Sequence, residues 1–360
     1  MHATVWAEID RSAFRHNIHC VRELSPDSRI VAMIKANAYG HGLIDAAKTL
    51  GPLCDKLGVA RIDEAVQLRS EGIQAPLLLM GTWLSGSEIA WCAENNVAVA
   101  IHTTDMAQLA AGENLTRKLE VWLKVDTGMN RLGLAPDSLQ SAYSVLAKAP
   151  QIGPIRLMSH FSSADDPQHP ATERQMDQFE RLARQLPAME YSLANSAGLI
   201  AWPQSRQQWV RPGIMLYGDD PTGGHALGLR PVMRLKSRII AIKDVLEGNS
   251  VGYNARWTAA RPSRIAAIGI GYGDGYPRQL PNGTPVLVNG QIFPLVGRVS
   301  MDICSIDITA AQQPISIGDD VTLWGDGLPA TDIAAMAGTI SYHLYTGVTQ
   351  RVQRVFIETA

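Results

Sequence analysis

The sequence lacks any apolar run long enough to cross a bilayer, which takes about 20 predominantly apolar residues. Its opening stretch, MHATVWAEIDRSAF, has no basic segment followed by an apolar one and carries Glu8 and Asp10, so it does not read as a secretory leader. Cysteine is scarce. Cys20, Cys54, Cys92 and Cys304 are scattered, with no CxxC pair and no histidine at zinc-ligand spacing. A disulfide framework and a metal site are therefore not expected, and free, mostly buried thiols in a reducing cytoplasm are. No P-loop or GxGxxG fingerprint points to a nucleotide, and the glycine-rich GYGDG of 271–275 lies in a β-turn context. There is also no surplus of basic charge. The net charge of -2 gives no reason to expect nucleic acid or an anionic membrane as partner. Low-complexity tracts and flexible linkers are missing too, which predicts domains packed tightly together.

What is present is a chain of 360 residues, enough for two domains with large cores. Its first two-thirds alternates short apolar runs with amphipathic stretches. The runs are VAMIK (31–35), GVA (58–60), PLLLM (76–80), VAVAI (97–101), VWLKVD (121–126), IRLMSH (155–160), YSLAN (191–195) and WVRPG (209–213). Stretches such as IDEAVQLRSEG, SEIAWCAENN, LQSAYSVLAKA and TERQMDQFERLARQL lie between them. About eight βα units of this kind predict an α/β fold, a parallel (β/α)8 barrel over residues 1–230. Continuous apolar runs suit strands buried on both faces. From Arg230-Pro231 the pattern changes to short β-branched runs punctuated by NG, DG and PNG turns, with no long helix before TDIAAMAG. Residues 231–360 are expected to form a separate, mostly antiparallel β-domain.

In such a barrel the chemistry belongs at the carboxyl ends of the strands. The first run ends on Lys35. By itself that residue reads more readily as a lysine snorkelling at the barrel rim than as a Schiff-base lysine of lowered pKa. Other strand ends add Arg131, His160, Asn195-Ser196-Ala197-Gly198, Arg211, Gly213 and Ile214. Each alone is more often structural, but together they suggest a phosphorylated, carbonyl-bearing ligand. Lysine supplies an amine for an imine. Ser196, Tyr39 and the backbone near Gly213 and Ile214 supply donors to a phosphate. Pyridoxal phosphate fits these parts.

At this point the residues resemble a known family, the alanine racemases. AMIKANAYGHG (32–42) is similar to the family's cofactor-lysine motif. The likeness continues through KVDTGMNRLG (124–133), SHFSSAD (159–165), ANSAG (194–198), VRPGIMLYG (210–218), VGYNARW (251–257), GYGDGYPR (271–278) and VGRVSMD (296–302). These blocks run in order over almost the whole chain. The resemblance implies that Lys35 binds the cofactor and acts as base on one face of the substrate, with Tyr253 as base on the other. It implies that Tyr39, Ser196, Gly213 and Ile214 hold the phosphate, and that Arg131 contacts the cofactor's phenolic oxygen and the substrate carboxylate. Arg211 would face the pyridine nitrogen, and His160 would link Arg211 towards the tyrosine. Met301 and Asp302 would lie near the substrate from the partner subunit, with Asp165, Tyr272, Arg278 and Arg298 as walls of the entrance. The implied assembly is a head-to-tail homodimer in which Lys35 and Tyr253 meet across subunits. Lys124 sits where some members carry a carbamylated lysine. Where some relatives place a tyrosine near the chain end that touches the phosphate and narrows the pocket, this sequence has Gln350, the nearest tyrosine being Tyr345.

The implied chemistry demands these groups. Racemisation needs proton loss on one face of a carbon and proton gain on the other, which two opposed groups achieve. Tyrosine is a poor base at its ordinary pKa of about 10, so a cationic network through Arg211 and His160 should help it. An arginine at the pyridine nitrogen should limit protonation there, and with it transamination. The expected activity is interconversion of L- and D-alanine, supplying D-alanine for peptidoglycan or degrading it. The alternatives are a racemase of broader range, taking serine or basic amino acids; a fold-related amino-acid decarboxylase; and a non-catalytic pyridoxal-phosphate carrier. The last is disfavoured because such carriers consist of the barrel alone.

Overall fold

The computed structural model describes residues 4–187, 189–223 and 227–359. The chain divides into two compact units, and the division departs from a simple cut at 230. The first strand, β1 (Trp6–Asp10), belongs with the C-terminal unit, as do Tyr39–His41. The reason is pairing: β1 runs antiparallel to Met233–Lys236 and parallel to the last strand of the chain. The barrel closes with eight strands without it.

Those eight parallel strands are β2 (Arg29–Met33), β3 (Lys56–Val59), β4 (Leu77–Leu79), β5 (Val97–Ile101), β6 (Leu119–Lys124), β7 (Ile152–Met158), β8 (Tyr191–Ser192) and β9 (Trp209–Val210). Each pairs with its successor, and β9 pairs with β2 to close the ring. All eight coincide with the apolar runs. β5 is buried at every position, because the barrel core lies on one face and helices cover the other. The amphipathic stretches form the helices Ile62–Ser70, Gly86–Glu94, Leu139–Lys148 and Ala171–Ala183. Ser85 and Glu88 make a reciprocal capping box at the start of the second of these.

The amino-terminal end of the barrel interior holds a charged plug. Lys56 Nζ lies 3.0 Å from Glu120, Arg156 lies 2.5 Å from Glu120 and 2.6 Å from Glu190, and Arg29 pairs with Glu190. The indoles of Trp122 and Trp209 donate to Glu120 and Glu190, each at 2.8 Å. Lys56 and Arg156 are the buried members, at 8% and 12% side-chain exposure, and charge so placed persists only when paired and hydrogen-bonded. At this end of a barrel it serves stability, which leaves the opposite end for chemistry.

The C-terminal unit contains β10 (Met233–Val245), β11 (Ser250–Val251), β12 (Trp257–Thr258), β13 (Ser263–Ile268), β14 (Pro285–Val288), β15 (Gln291–Val296), β16 (Cys304–Asp307), β17 (Asp320–Trp324) and β18 (Gln353–Ile357). The long β10 pairs with β17 through its first half and with β13 through its second. The pairings therefore close a ring, β10-β13-β16-β15-β14-β17, with β1 and β18 appended. No helix among the described residues is long and apolar enough to cross a membrane.

Asp10 ties the ends of the chain together. Its carboxylate accepts hydrogen bonds from Ser12 Oγ at 2.7 Å, from the Ser12 amide at 2.9 Å and from Thr359 Oγ1. Burial alone would raise its pKa, but the hydrogen bonds from Thr359, Ser12 and Ala13 outweigh burial and hold it at about 2. A depressed carboxylate stabilises the folded state fully above its unfolded value, near 3.9, and loses that contribution as pH falls through the folded value. Asp10→Asn is therefore expected to lower Tm at pH 7, by about 1–3 kcal/mol of stability. The gap should close between pH 4 and pH 2, checked by thermal melts across that range.

Candidate active site

Lys35 follows β2 at the carboxyl end of the barrel, and the chain after it turns the wrong way. Ala36, Asn37, Ala38 and Tyr39 all have φ between 52° and 54°. Left-handed backbone costs non-glycine residues about 1–2 kcal/mol each. Hydrogen bonds hold the turn. The Ala36 amide donates to Glu64 Oε1 at 2.6 Å, the Leu43 amide to Asn37 Oδ1 at 2.8 Å, and the Ala38 amide to Ile34 O at 2.8 Å. Such strain persists where the surroundings over-determine it, commonly at functional sites. Burial, the field of Arg131 and that of Arg211 all lower the pKa of the Lys35 amine, and Glu64 opposes them. This field favours the neutral, nucleophilic amine.

Arg211, on the loop after β9, is 3% exposed. Its guanidinium donates to Ser192 Oγ at 2.5 Å, Ser159 O at 2.6 Å and Leu193 O at 3.2 Å. Burial lowers its pKa to about 10, still well above neutrality. Arg211 Nη2 lies 3.4 Å from His160 Nδ1. Burial first, then Arg211, Lys124, Arg131 and Lys35, push His160 well below the usual histidine range. The ring is thus neutral at pH 7. Beside a permanent donor its Nδ1 accepts, which leaves the proton on Nε2.

A donor cradle lies between two loops. Ser196 opens the short helix Ser196–Ala201, with Asn195 capping it through the Gly198 amide at 2.9 Å. The amides of Gly213 and Met215, either side of Ile214, donate to Ser196 Oγ at 2.8 and 3.4 Å. The cradle is tied to the strand that carries Lys35. Tyr217 donates its hydroxyl proton to Met33 O at 2.8 Å, and the Met33 amide donates to Pro212 O at 3.0 Å.

Arg131 is exposed on a loop shaped by Asp126, whose Oδ1 accepts the amides of Gly128, Met129 and Asn130 at 2.9–3.1 Å. Gly133 allows this loop to close, since a Cβ there would stand 2.6 Å from the Asp126 nitrogen. Lys124 Nζ donates to Leu132 O at 2.7 Å, next to Arg131. Burial, with Arg211 and Arg131, pulls Lys124 down to about 8. His102, one residue past β5, is also buried, and burial and Lys124 lower its pKa. Asp165 is exposed on the loop beyond His160.

The remaining candidates belong to the C-terminal unit. Tyr39 is 7% exposed, its ring centroid 5.8 Å from that of Tyr342, and burial raises its pKa so that it stays a donor. The next residue, Gly40, has φ +81, and a Cβ there would meet Tyr345 O at 2.0 Å. Tyr253 opens a short turn, Tyr253–Ala255, and is 66% exposed. Tyr272, Met301 and Asp302 come together. The Tyr272 amide donates to Ser300 O at 3.0 Å and the Gly273 amide to Met301 O at 2.8 Å. Arg351 spans Asp302 at 2.7 Å and Asp274 at 3.4 Å. Arg278 and Arg298 line a cleft of about 890 Å³. Gln350 is exposed, while Tyr345 is buried with its ring 5.0 Å from His41.

Comparison with known proteins settles the family. The profile "Alanine racemase, N-terminal domain" matches residues 9–221, and "Alanine racemase, C-terminal domain" matches residues 232–356. The chain belongs to the alanine racemase family. The alanine racemase of Edwardsiella ictaluri is 44% identical, over 98% of each chain. The solved biosynthetic alanine racemase of Pseudomonas aeruginosa superposes with a TM-score of 0.94 at 38% identity, covering 99% of this chain and 100% of that one. An alanine racemase from Bartonella henselae, solved with covalently bound pyridoxal phosphate, gives 0.90 at 30% identity over 99% and 100%.

Within this racemase chain, sequence reasoning missed Glu64, Asp126, Tyr342 and Arg351. Each acts by orienting a candidate rather than by standing at a strand end in a motif. Asp126 carried a weak signal, an Asp before Thr-Gly, where its carboxylate caps the following amides. The others carried none.

Proposed function

We propose that the chain interconverts L- and D-alanine with pyridoxal phosphate, using Lys35 and Tyr253 on opposite faces of the substrate. The observation that carries this is the barrel mouth itself: an amine whose charged form burial and two arginines disfavour, beside a cradle of hydroxyl and amide donors. The donor set fits the cofactor. Lys35 suits its carbonyl, Ser196 and the backbone of Gly213 to Met215 suit its phosphate, and the buried Arg211 suits a ring nitrogen that accepts a hydrogen bond. Tyr39 would add a phosphate donor. When bound, the cofactor supplies an electron sink that makes the α-proton of the amino acid removable.

The rest is done by the chain. Lys35 takes or returns the proton on one face, with the charged form of its amine disfavoured by burial, Arg131 and Arg211. Tyr253 does the same on the other face, and neutral His160, with its Nε2 proton, relays the charge of Arg211 towards it. Arg131, on its braced loop, holds the substrate carboxylate, with Met301 and Asp302 beside the substrate. Asp165, Tyr272, Arg278 and Arg298 wall the entrance. We infer a head-to-tail homodimer, supported by the 66% exposure of Tyr253 and the 53% exposure of Met301 on the single chain. A cytoplasmic location agrees with four free thiols, three of which burial pushes up to about 12.

The test is enantiomer-resolved turnover of L-alanine beside serine, lysine and arginine with pyridoxal phosphate present. Alanine reaching a racemic mixture well ahead of the others supports the reading. Faster turnover of another amino acid moves the substrate and points to the pocket at Gln350, and release of carbon dioxide points to a decarboxylase. Arg211 gives a sharper check. It remains protonated near neutral pH and is a poor proton donor to a ring nitrogen. Arg211→Glu is expected to lower racemisation at least tenfold and to raise pyruvate formed per turnover. Unchanged pyruvate would remove Arg211 as the guard against transamination.

A further inference from the structure

Arg354, in β18, is a cation that the catalytic reading does not use. Its guanidinium donates from Nε and Nη2 to Gly40 O at 3.1 and 3.0 Å. Nη1 donates to Thr349 O at 2.6 Å and Val352 O at 2.9 Å, and Nη2 also donates to Val348 O at 2.7 Å. An arginine has five N–H groups, so main-chain carbonyls saturate this one and leave no donor for a ligand. Burial disfavours its charge, a penalty that the full set of acceptors offsets. Three of the four carbonyls lie within 6 residues of Arg354 in sequence. The fourth, Gly40 O, is 314 residues away, and it is the one gripped twice. Two donors of a rigid fork on one oxygen fix the direction of that peptide as well as its distance.

The gripped peptide carries Tyr39 on its amino side. Tyr39 is left-handed at φ 52 and Gly40 at φ 81. A Cβ on Gly40 would collide with Tyr345 O, so the turn runs directly against the helix Ser341–Gly347. His41 Nδ1 lies 2.9 Å from Tyr39 O. The ring of Tyr39 packs on Tyr342 of the same helix, and that of His41 on Tyr345, with centroids 5.8 and 5.0 Å apart. These contacts place Tyr39–His41 with the C-terminal unit, although the chain on either side of them groups with the barrel. The Tyr39 main chain is therefore set by Arg354 and by the segment of 341–352.

We propose that Arg354 is a positioning residue for the cofactor's phosphate: by gripping Gly40 O it fixes where the Tyr39 hydroxyl points, without touching the cofactor itself. A hydrogen bond to phosphate weakens steeply as its donor swings out of line, so a tyrosine on a loose turn would contribute little. Left-handed backbone at Tyr39 is strained, and it persists only while its surroundings over-determine it. Arg354 is the part of those surroundings that joins the turn to β18. No other side chain type supplies five donors in a plane, which is why lysine is a poor substitute here. The inference rests on the reading of Tyr39 as a phosphate donor.

The experiment is equilibrium dialysis of the loaded enzyme, which gives the affinity for pyridoxal phosphate and, in parallel, for pyridoxal, the same ring without the phosphate. Arg354→Lys keeps the charge but loses the fork. It is expected to weaken pyridoxal phosphate by about tenfold or more, the worth of one hydrogen bond to a charged group, and to leave pyridoxal close to the parent's affinity. Tyr39→Phe should show the same phosphate-selective loss, and the double variant should lose no more than the weaker-binding single one. Equal loss for both ligands in R354K, or losses that multiply in the double variant, would make Arg354 a residue of the fold alone and overturn the proposal. Parental affinity in Y39F would remove Tyr39 from the phosphate, and this inference with it. Weakened binding in Y39F beside parental binding in R354K would leave Tyr39 its role and overturn only the action of Arg354 upon it. Should R354K fail to fold, Gly40→Ala tests the same tie from the other side, because its Cβ drives the turn off Tyr345 O. Phosphate-selective loss is again the expected result, and equal loss for both ligands overturns it.

Discussion

Lys35→Ala abolishes racemisation of alanine in both directions, with a loss of about 10⁴-fold or more, at or beyond the upper end for removal of an acid/base group. The loss is that large because one side chain has two duties: it anchors the cofactor and serves one face of the substrate. The substitution should leave the fold intact. The hydrogen bonds that hold the left-handed turn come from Glu64, Asn37 and the backbone at Ala38, not from the Lys35 side chain. The check is chiral chromatography of both enantiomers, beside borohydride trapping of the cofactor and a thermal melt. Covalent trapping in the parent and none in the variant, at similar Tm, is the expected pattern. Retained trapping in the variant would move the cofactor linkage to another lysine, and Lys124, which burial pulls down to about 8, is the first to test.

Tyr253→Phe deletes a single hydroxyl that is largely exposed on the isolated chain, so stability should hardly change. Racemisation should fall by about 10²–10⁴-fold, the usual worth of a positioned acid/base group. The diagnostic readout is exchange of the α-proton in deuterium oxide. The enantiomer served by Lys35 should still exchange without inverting, while the other loses exchange along with racemisation. Equal loss of exchange for both enantiomers would show that Tyr253 supports the site generally rather than one face of it. Mixed dimers test the assembly. If each site combines Lys35 of one subunit with Tyr253 of the other, Lys35→Ala and Tyr253→Phe chains recombined together regain one working site per hybrid dimer. If both groups come from one subunit, recombination regains nothing.

The barrel was legible in the sequence because strands buried on both faces become short, continuous apolar runs, and all eight lie where such runs stand. The polar strand ends were legible for a related reason. A lysine, two arginines and a histidine at the tips of apolar runs have no structural cause in common, while the charged plug at the other end reads as ion pairs only once the strands are assembled. The change of pattern at Arg230-Pro231 likewise showed the start of the β-unit.

Other features depended on the tertiary structure. The segment WAEID gives no sign that its parallel partner lies nearly 350 residues away, since pairing between distant strands leaves no local trace. Nor does KANAY announce four consecutive left-handed residues, because only Asn37 among them tolerates positive φ readily, and hydrogen bonds to the Glu64 and Asn37 side chains hold the conformation. The downward shifts of His160 and Lys124 follow from burial and from the field of Arg211, which is 51 residues from His160 along the chain and 3.4 Å from it in space. Sequence alone determined which chemistry this chain is built for, because backbone period and residue type are local properties. Which proton each group holds, and which charges must share a cleft, only the folded packing decided, because desolvation and Coulomb energy depend on neighbours in space.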